Sequence, residues 1–268
     1  MTIRNIGDFV AALQAESLIS DTLRLIDFVE RPKIAIAFEL WFRGERDATW
    51  SLQPKVFRKK FDERNLTNRF RVLSKSRHIN VPNYENYGLF LSLMQHYSLP
   101  TRLLDWSTSP LIALYFAVEK YIYEPKIEPV DASVWILNPY KLNKSEIGEG
   151  TTPAIEGWSV RKFLRPAFSH QIPEKPDSDH IALDSDHVCA VMGSETDSRI
   201  FVQQGNFTIH TQPTALQSRQ GCKSYLSKIT IPKESVRLIA TELALCGFRK
   251  STIYPDLTNL ATDLEQLF

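Results

Sequence analysis

The 268-residue sequence has only three cysteines, Cys189, Cys222 and Cys246. An odd number without paired spacing excludes a disulfide framework. No uninterrupted apolar run approaches the ~18–20 residues that span a bilayer. Residues 1–30 lack a basic-then-apolar signal pattern, because Asp8, Glu16 and Asp21 interrupt them. A reducing, cytoplasmic setting with no membrane partner is therefore the expectation. Charge of one sign is missing too: 32 Lys and Arg face 31 Asp and Glu. That balance excludes a globally basic nucleic-acid binder and leaves room for a local basic patch. The six histidines and three cysteines show no close ligand spacing, so no metal is expected. A phosphate-loop glycine motif, a dinucleotide glycine signature and a Gly-x-Ser-x-Gly elbow are all absent. No internal repeat or low-complexity tract occurs.

What is present suits a globular chain. Hydrophobic residues make up 43% of it, which excludes extensive disorder, and the length allows a sizeable core. Residues 6–15 read as a short helix on Ile6, Phe9, Val10 and Leu13, and 18–29 as a second. Pro32 marks a boundary between an N-terminal helical segment, 1–33, and a main domain, 34–268. Residues 34–44 read as a strand with Ile34, Ile36, Phe38, Leu40 and Phe42 on one face and Arg43 on the other. Gly44 lets the backbone turn. Residues 84–97 read as a helix stopped by Pro100, and 101–105 as extended. Ser109 suits an N-cap and Pro110 a first helical position for a helix over 111–121.

Residues 132–137 read as a strand. From 138 to 198 the pattern dissolves among Pro139, Pro153, Pro166, Pro173 and Pro176, which predicts an irregular insertion, a lid or a binding loop. Strands are predicted at 199–202, 206–211 and 225–231. A helix runs from Pro232 to Cys246, followed by an extended stretch over 248–254 and a closing helix over 256–268. The fold class is α+β, a mixed sheet with N-terminal and C-terminal helices.

Residues 55–77 are the most charge-biased stretch. Lys55, Arg58, Lys59, Lys60, Arg64, Arg69, Arg71, Lys75 and Arg77 face only Asp62 and Glu63. The stretch reads as a solvated helical face or as a phosphate-facing surface for nucleic acid. No aromatic platform of the single-strand-binding kind is interleaved within it.

Three segments concentrate chemistry. In Trp41-Phe42-Arg43-Gly44, an arginine at the end of a buried strand needs an anionic partner, either a bound phosphate or carboxylate or an internal acid such as Asp105. The run from Gln95-His96-Tyr97 through Pro100-Thr101-Arg102-Leu103-Leu104-Asp105-Trp106 to Ser107-Thr108-Ser109-Pro110 packs most hydrogen-bonding side-chain types before a helix start, which is a ready anion site. His96 suits a ligand, a proton carrier or a structural histidine. Asp105 suits orienting His96 or Arg102, or simply pairing with Arg102. In the third segment, Gln203-Gln204-Gly205 sits between two strand-like runs. It reads as a bulged turn, or as amides that hydrogen-bond a sugar hydroxyl or a base edge.

These residues resemble the FRG domain, named for its Phe/Tyr-Arg-Gly motif. The resemblance rests on Phe42-Arg43-Gly44, on the segment from Gln95 to Leu111, on Gln204-Gly205-Asn206-Phe207 and on Tyr254-Pro255-Asp256-Leu257, and it runs from about 39 to 268. A more distant similarity links strand-Arg-Gly, Ser-Thr-Ser and a strand-end amide to the arginine–serine–glutamate arrangement of ADP-ribosyltransferases. That similarity implies a split mixed sheet and NAD as the substrate nucleotide. It implies that Arg43, Gly44 and Arg102 hold phosphate or ribose, and that Ser107, Thr108 and Ser109 with Gln203 line the cofactor site. Arg43, His96, Asp105 and Gln204 would be catalytic. The sequence departs from that pattern where Gln203-Gln204 stands in place of a glutamate. A neutral amide binds a hydroxyl but does not offset developing positive charge. Glu195, Glu45 and Asp105 are the candidate acids. The departure bears on turnover more than on nucleotide binding. A role in bacterial conflict, such as defence against phage, follows from the resemblance by analogy.

Overall fold

The computed structural model describes residues 2–16, 18, 40–124, 126–168, 185–194 and 198–265. Most of the expected helix over 18–29, the strand residues 34–39, Glu195, Pro173, Pro176 and the last three residues of the closing helix lie outside them. Six short strands form one antiparallel sheet: β1 (Trp41–Glu45), β2 (Leu103–Ser107), β3 (Ala132–Leu137), β4 (Val188–Met192), β5 (Gly205–His210) and β6 (Leu226–Ile231), in the order β4-β5-β2-β1-β3-β6. Around it run α1 (Ile6–Ala15), α2 (Lys55–Arg58), α3 (Glu63–Ser74), α4 (Tyr87–His96), α5 (Pro110–Val118), α6 (Lys120–Tyr123), α7 (Pro139–Ile147), α8 (Arg161–Leu164), α9 (Ser198–Gln203), α10 (Val236–Leu245), α11 (Lys250–Ile253) and α12 (Leu257–Glu265).

The sheet is open at its centre. β1 pairs along its whole length with β3, from Trp41 opposite Leu137 to Glu45 opposite Ser133. β2 does the same with β5, from Leu103 opposite Ile209 to Ser107 opposite Gly205. Between β1 and β2 the pairing is Phe42 opposite Ser107 alone. Two half-sheets therefore diverge from one shared point, and their inner edges leave backbone groups that side chains must satisfy.

Each half has its own apolar cover. Phe42, Val134, Ile136 and Ile231 pack against Phe9 and Leu13 of α1, Leu114 of α5 and Ile239 of α10. Leu103, Phe207, Ile209 and Val191 pack against Phe90, Leu91 and Met94 of α4 and against Phe163 and Phe168. The alternate side chains Trp41, Trp135, Leu104, Trp106 and Val188 join across both halves on the opposite face. Period-2 alternation thus builds one continuous layer and two separate ones.

Gly44 does not turn the chain; β1 continues through it to Glu45. A Cβ there would sit 1.8 Å from the Ala113 carbonyl oxygen of α5. Close helix approach, rather than a special backbone angle, requires the glycine. α5 starts as its sequence predicts, with the Ser109 hydroxyl accepting from the Ile112 amide at 3.4 Å and Pro110 in the first turn.

Four expectations are corrected. The sheet is not mixed: every pair of neighbouring named strands runs in opposite directions. Residues 199–202 are part of helix α9, not a strand. A short Ile-Phe-Val run is ambiguous by pattern, and both sheet positions beside β5 are taken, by β2 and β4. The stretch 138–198 is not an irregular insertion in its described part: it supplies α7, α8 and the edge strand β4. Pro139 stands at the start of α7, behind an Asn138 cap that accepts from the Lys141 amide at 3.0 Å, so it opens a helix instead of breaking one. Residues 248–254 contain the short helix α11 rather than an extended run.

Candidate functional site

The split between β1 and β2 opens into a cavity of about 320 Å³, within the size class of small-molecule pockets. Arg43 stands at its floor. Its Nε donates to Glu45 Oε1 at 2.7 Å, and Nη1 donates to the Asp105 carbonyl at 2.8 Å. That second bond crosses the gap where the β1–β2 ladder is missing. Glu45 is buried, and Arg58 approaches the same Oε1 at 3.9 Å. Burial lowers the Arg58 pKa, with Glu45 opposing and Arg43 adding to the effect. Two guanidiniums share one buried carboxylate, and Asp105 brings a second carboxylate within 3.9 Å of Arg43, so these four groups balance in charge.

Asp105 is aimed by its neighbours. Its Oδ2 accepts from Gln95 Nε2 at 2.8 Å, and Gln95 Oε1 accepts from the Thr101 hydroxyl at 2.6 Å. The pair of bonds fixes which way the Gln95 amide faces. The Asp105 side chain remains 55% exposed, with Arg43 Nη1 at 3.9 Å from its Oδ2. The carboxylate is thus oriented from α4 by Gln95, not spent on Arg102. His96, also at the cavity wall, lies with its ring edge-on to Tyr97 at 4.8 Å, and its carbonyl accepts from Arg199 Nη1 at 3.0 Å.

The hydroxyl triplet divides into three tasks. Ser107 lines the cavity and donates to the Gln203 carbonyl at 2.8 Å. Thr108 donates to Gln204 Oε1 at 2.8 Å, and its amide donates to the Gln204 carbonyl at 3.1 Å. Ser109 caps α5. Gln204 adopts φ +49 to turn the chain from α9 into β5, so its side chain is a clasp outside the cavity lining. Gln203 does line it, with Nε2 donating to the Ile253 carbonyl at 3.0 Å.

Arg102 is placed elsewhere. Nε and Nη2 donate to Glu63 Oε2 at 2.9 and 2.7 Å, and its amide donates to Oε1 at 2.8 Å. Both side chains are 5% exposed. Neither the phosphate role nor a pair with Asp105 fits this position, because Nε and Nη2 are both committed to the buried Glu63 Oε2, away from the cavity. Of the ten expected residues, Arg43, Gly44, His96, Asp105, Ser107 and Gln203 line the cavity, whereas Arg102, Thr108, Ser109 and Gln204 do not.

Several lining residues were not among the expected site residues: Arg58, Glu119, Arg199, Asn206 and Phe116. Burial pushes the Glu119 carboxyl up, against the opposing pull of Arg46, Lys250, the Tyr254 hydroxyl and Arg199. Arg199 lies over the Tyr254 ring at 4.8 Å. A signal for Glu119 existed: it falls one helical turn after Phe116, on the helix that Gly44 admits.

The arginine and glycine of β1, and the run that frames β2, lie inside residues 38–125, which the family model for the FRG domain matches. The chain carries an FRG domain. No curated protein and no solved structure matches the chain. The FRG domain supplies Arg43, Gln95, His96, Asp105, Ser107 and Glu119. Gln203, Asn206 and Tyr254, which close the cavity, come from beyond it. Among the described residues, no helix is long and apolar enough to cross a membrane.

Proposed function

We propose that the cavity of this FRG-domain protein binds a nucleotide, with NAD as the ligand, and that the reaction it serves is ADP-ribosyltransferase-like. The bond between the nicotinamide nitrogen and ribose C1′ would break with its electron pair leaving on nicotinamide. A nucleophile from a macromolecule or water would then take ADP-ribose and release a proton. The observation that carries the reading is the Arg43–Glu45–Arg58 wall. It belongs to a cavity lining in which Arg43, Arg46, Arg58 and Arg199 face Glu45, Asp105 and Glu119, an excess of one guanidinium that suits a pyrophosphate.

Other features fit the same ligand. Trp50, Phe116 and Tyr254 offer ring surfaces, and Gln203 and Asn206 offer amides for ribose hydroxyls. Asp105 and Glu119 are carboxylates that a developing positive charge at C1′ would meet, in place of the glutamate that the Gln203 position lacks. A cytoplasmic location goes with NAD as ligand.

Thermal shift with NAD, ADP-ribose and adenine nucleotides tests binding, and nicotinamide release tests turnover. Binding predicts a raised melting temperature with NAD that Arg43→Ala abolishes. No shift with any of these ligands overturns the reading. A shift without nicotinamide release above the Arg43→Ala control leaves a binding module, the form that the neutral amide at Gln203 favours.

A further inference from the structure

Away from the cavity, two segments far apart in sequence join through a ladder of rings and guanidiniums. Arg71 of α3 lies over the Tyr84 ring at 4.0 Å, and Tyr84 meets Phe168 edge-on at 5.2 Å. Phe168 stacks on Tyr87 at 4.3 Å and 27°. Arg161 of α8 then covers Tyr87 at 4.9 Å and Trp158 at 4.7 Å. The two segments are also tied by backbone: Arg64 Nε donates to the Pro166 carbonyl at 3.1 Å, and the Thr67 hydroxyl donates to the Ala167 carbonyl at 2.8 Å.

The ladder ends in an exposed ring. Trp158 is 74% exposed. One face of its indole rests on Arg161 and its large apolar surface otherwise meets water, a costly placement for a ring of that size. The charge around it is mainly positive. Residues 63–77 and 158–165 together hold eight Lys and Arg and a single carboxylate, Glu63, which is buried against Arg102. The exposed carboxylates Glu85 and Glu156 flank the face in sequence.

We infer that this face binds single-stranded nucleic acid, with a base stacking on Trp158 and phosphates running toward Arg161 and Arg71. Base stacking on an aromatic ring beside a cationic track is how single strands are held without sequence preference. Residues 55–77 alone offer only Phe57, Phe61 and Phe70 as rings; the fold adds the exposed ring of Trp158, backed by the buried Tyr84 and Tyr87. A lipid surface is the less favoured partner, because the exposed ring sits on a guanidinium rather than among other apolar side chains. The inference stands apart from the nucleotide cavity and does not depend on it.

The test is fluorescence anisotropy of the full chain with labelled oligo(dT) and oligo(U), with duplex DNA and anionic phosphatidylserine vesicles as further arms. The expected result is single-strand binding that weakens with salt, prefers single strand over duplex, and persists in Arg43→Ala. Trp158→Ala weakens it about tenfold while Trp158→Phe retains most of it. Arg71→Gln and Arg161→Gln each reduce the log–log salt slope by about 0.7. Trp158 is exposed, so its variant should keep the parent's melting curve, which is checked by circular dichroism. No oligonucleotide binding, binding indifferent to Trp158→Ala, equal binding to duplex, or binding to vesicles alone each overturns the inference.

Discussion

Arg43 and Arg102 invite comparison, because both are arginines of the FRG domain with a glutamate partner. Arg102 and Glu63 close on each other in two side-chain hydrogen bonds at 5% exposure. Arg43 gives Glu45 one bond, gives the Asp105 carbonyl another, and keeps 18% of its side chain exposed at the mouth of a split sheet. The ion-pair chemistry is the same in both places. A gap in the ladder between β1 and β2 leaves a cavity in front of one of them. The lesson is that a buried pair marks a binding residue only where the fold leaves space in front of it.

The largest expected effect breaks the closed pair. Arg102→Ala leaves Glu63 buried and unpaired, which should cost about 3–5 kcal/mol and lower the melting temperature by roughly 10 °C. An Arg102→Met, Glu63→Leu double variant should recover most of the loss. If the single variant melts like the parent, the pair is not the staple its geometry indicates. Next comes the helix that borders the split. Gly44→Ala places a methyl group 1.8 Å from the Ala113 carbonyl and should cost about 1–3 kcal/mol by urea denaturation, with ligand binding weakened as α5 is displaced. An unchanged midpoint would show that α5 can retreat freely.

A pH series extends the comparison to a third buried group. His210 is fully buried, and Trp106 Nε1 donates to Thr208 Oγ1, which lies 3.1 Å from His210 Nε2. Burial pushes the His210 pKa down from 6.5 to about 3, with Arg219 adding to the shift. The folded form therefore binds fewer protons than the unfolded one between those values. Its stabilising contribution is complete above pH 6.5 and is lost as pH falls toward 3, by up to about 1.4 kcal/mol per unit. His210→Gln should flatten that part of the melting profile; an unchanged slope would assign it to carboxylates instead. The smallest effect on stability and the largest on ligand binding belong to Arg43→Ala. It leaves Glu45 with Arg58, so a cost of about 1–2 kcal/mol is expected, together with at least about tenfold weaker nucleotide binding. If Arg43→Ala instead matches Arg102→Ala in melting temperature and leaves binding intact, the contrast between the two arginines fails.

Much of the architecture was legible. The alternation in residues 40–42, the Ser109-Pro110 helix start and the apolar run 132–137 stand where the pattern places them, because local propensity and burial agree there. Residues 199–202 were not legible, since a short apolar run suits a strand or a helical turn equally. α7 was hidden by counting Pro139 as a breaker. In the site, the motifs contain Arg43, His96, Asp105, Ser107 and Gln203, which line the cavity, and also Arg102 and Gln204, which do not. Their neighbours Glu63 and Thr108 are 39 and 96 positions away, beyond the reach of any spacing rule.

Sequence alone determined the residue types, the N-caps, the strand faces and the FRG motif, because each depends on neighbours within a turn or a pleat. Only the tertiary structure decided which arginine faces a cavity, why Gly44 must lack a side chain, and that Trp158 joins the basic helix α3. Those outcomes depend on distances between segments scores of residues apart, and chain packing sets such distances where local preference does not.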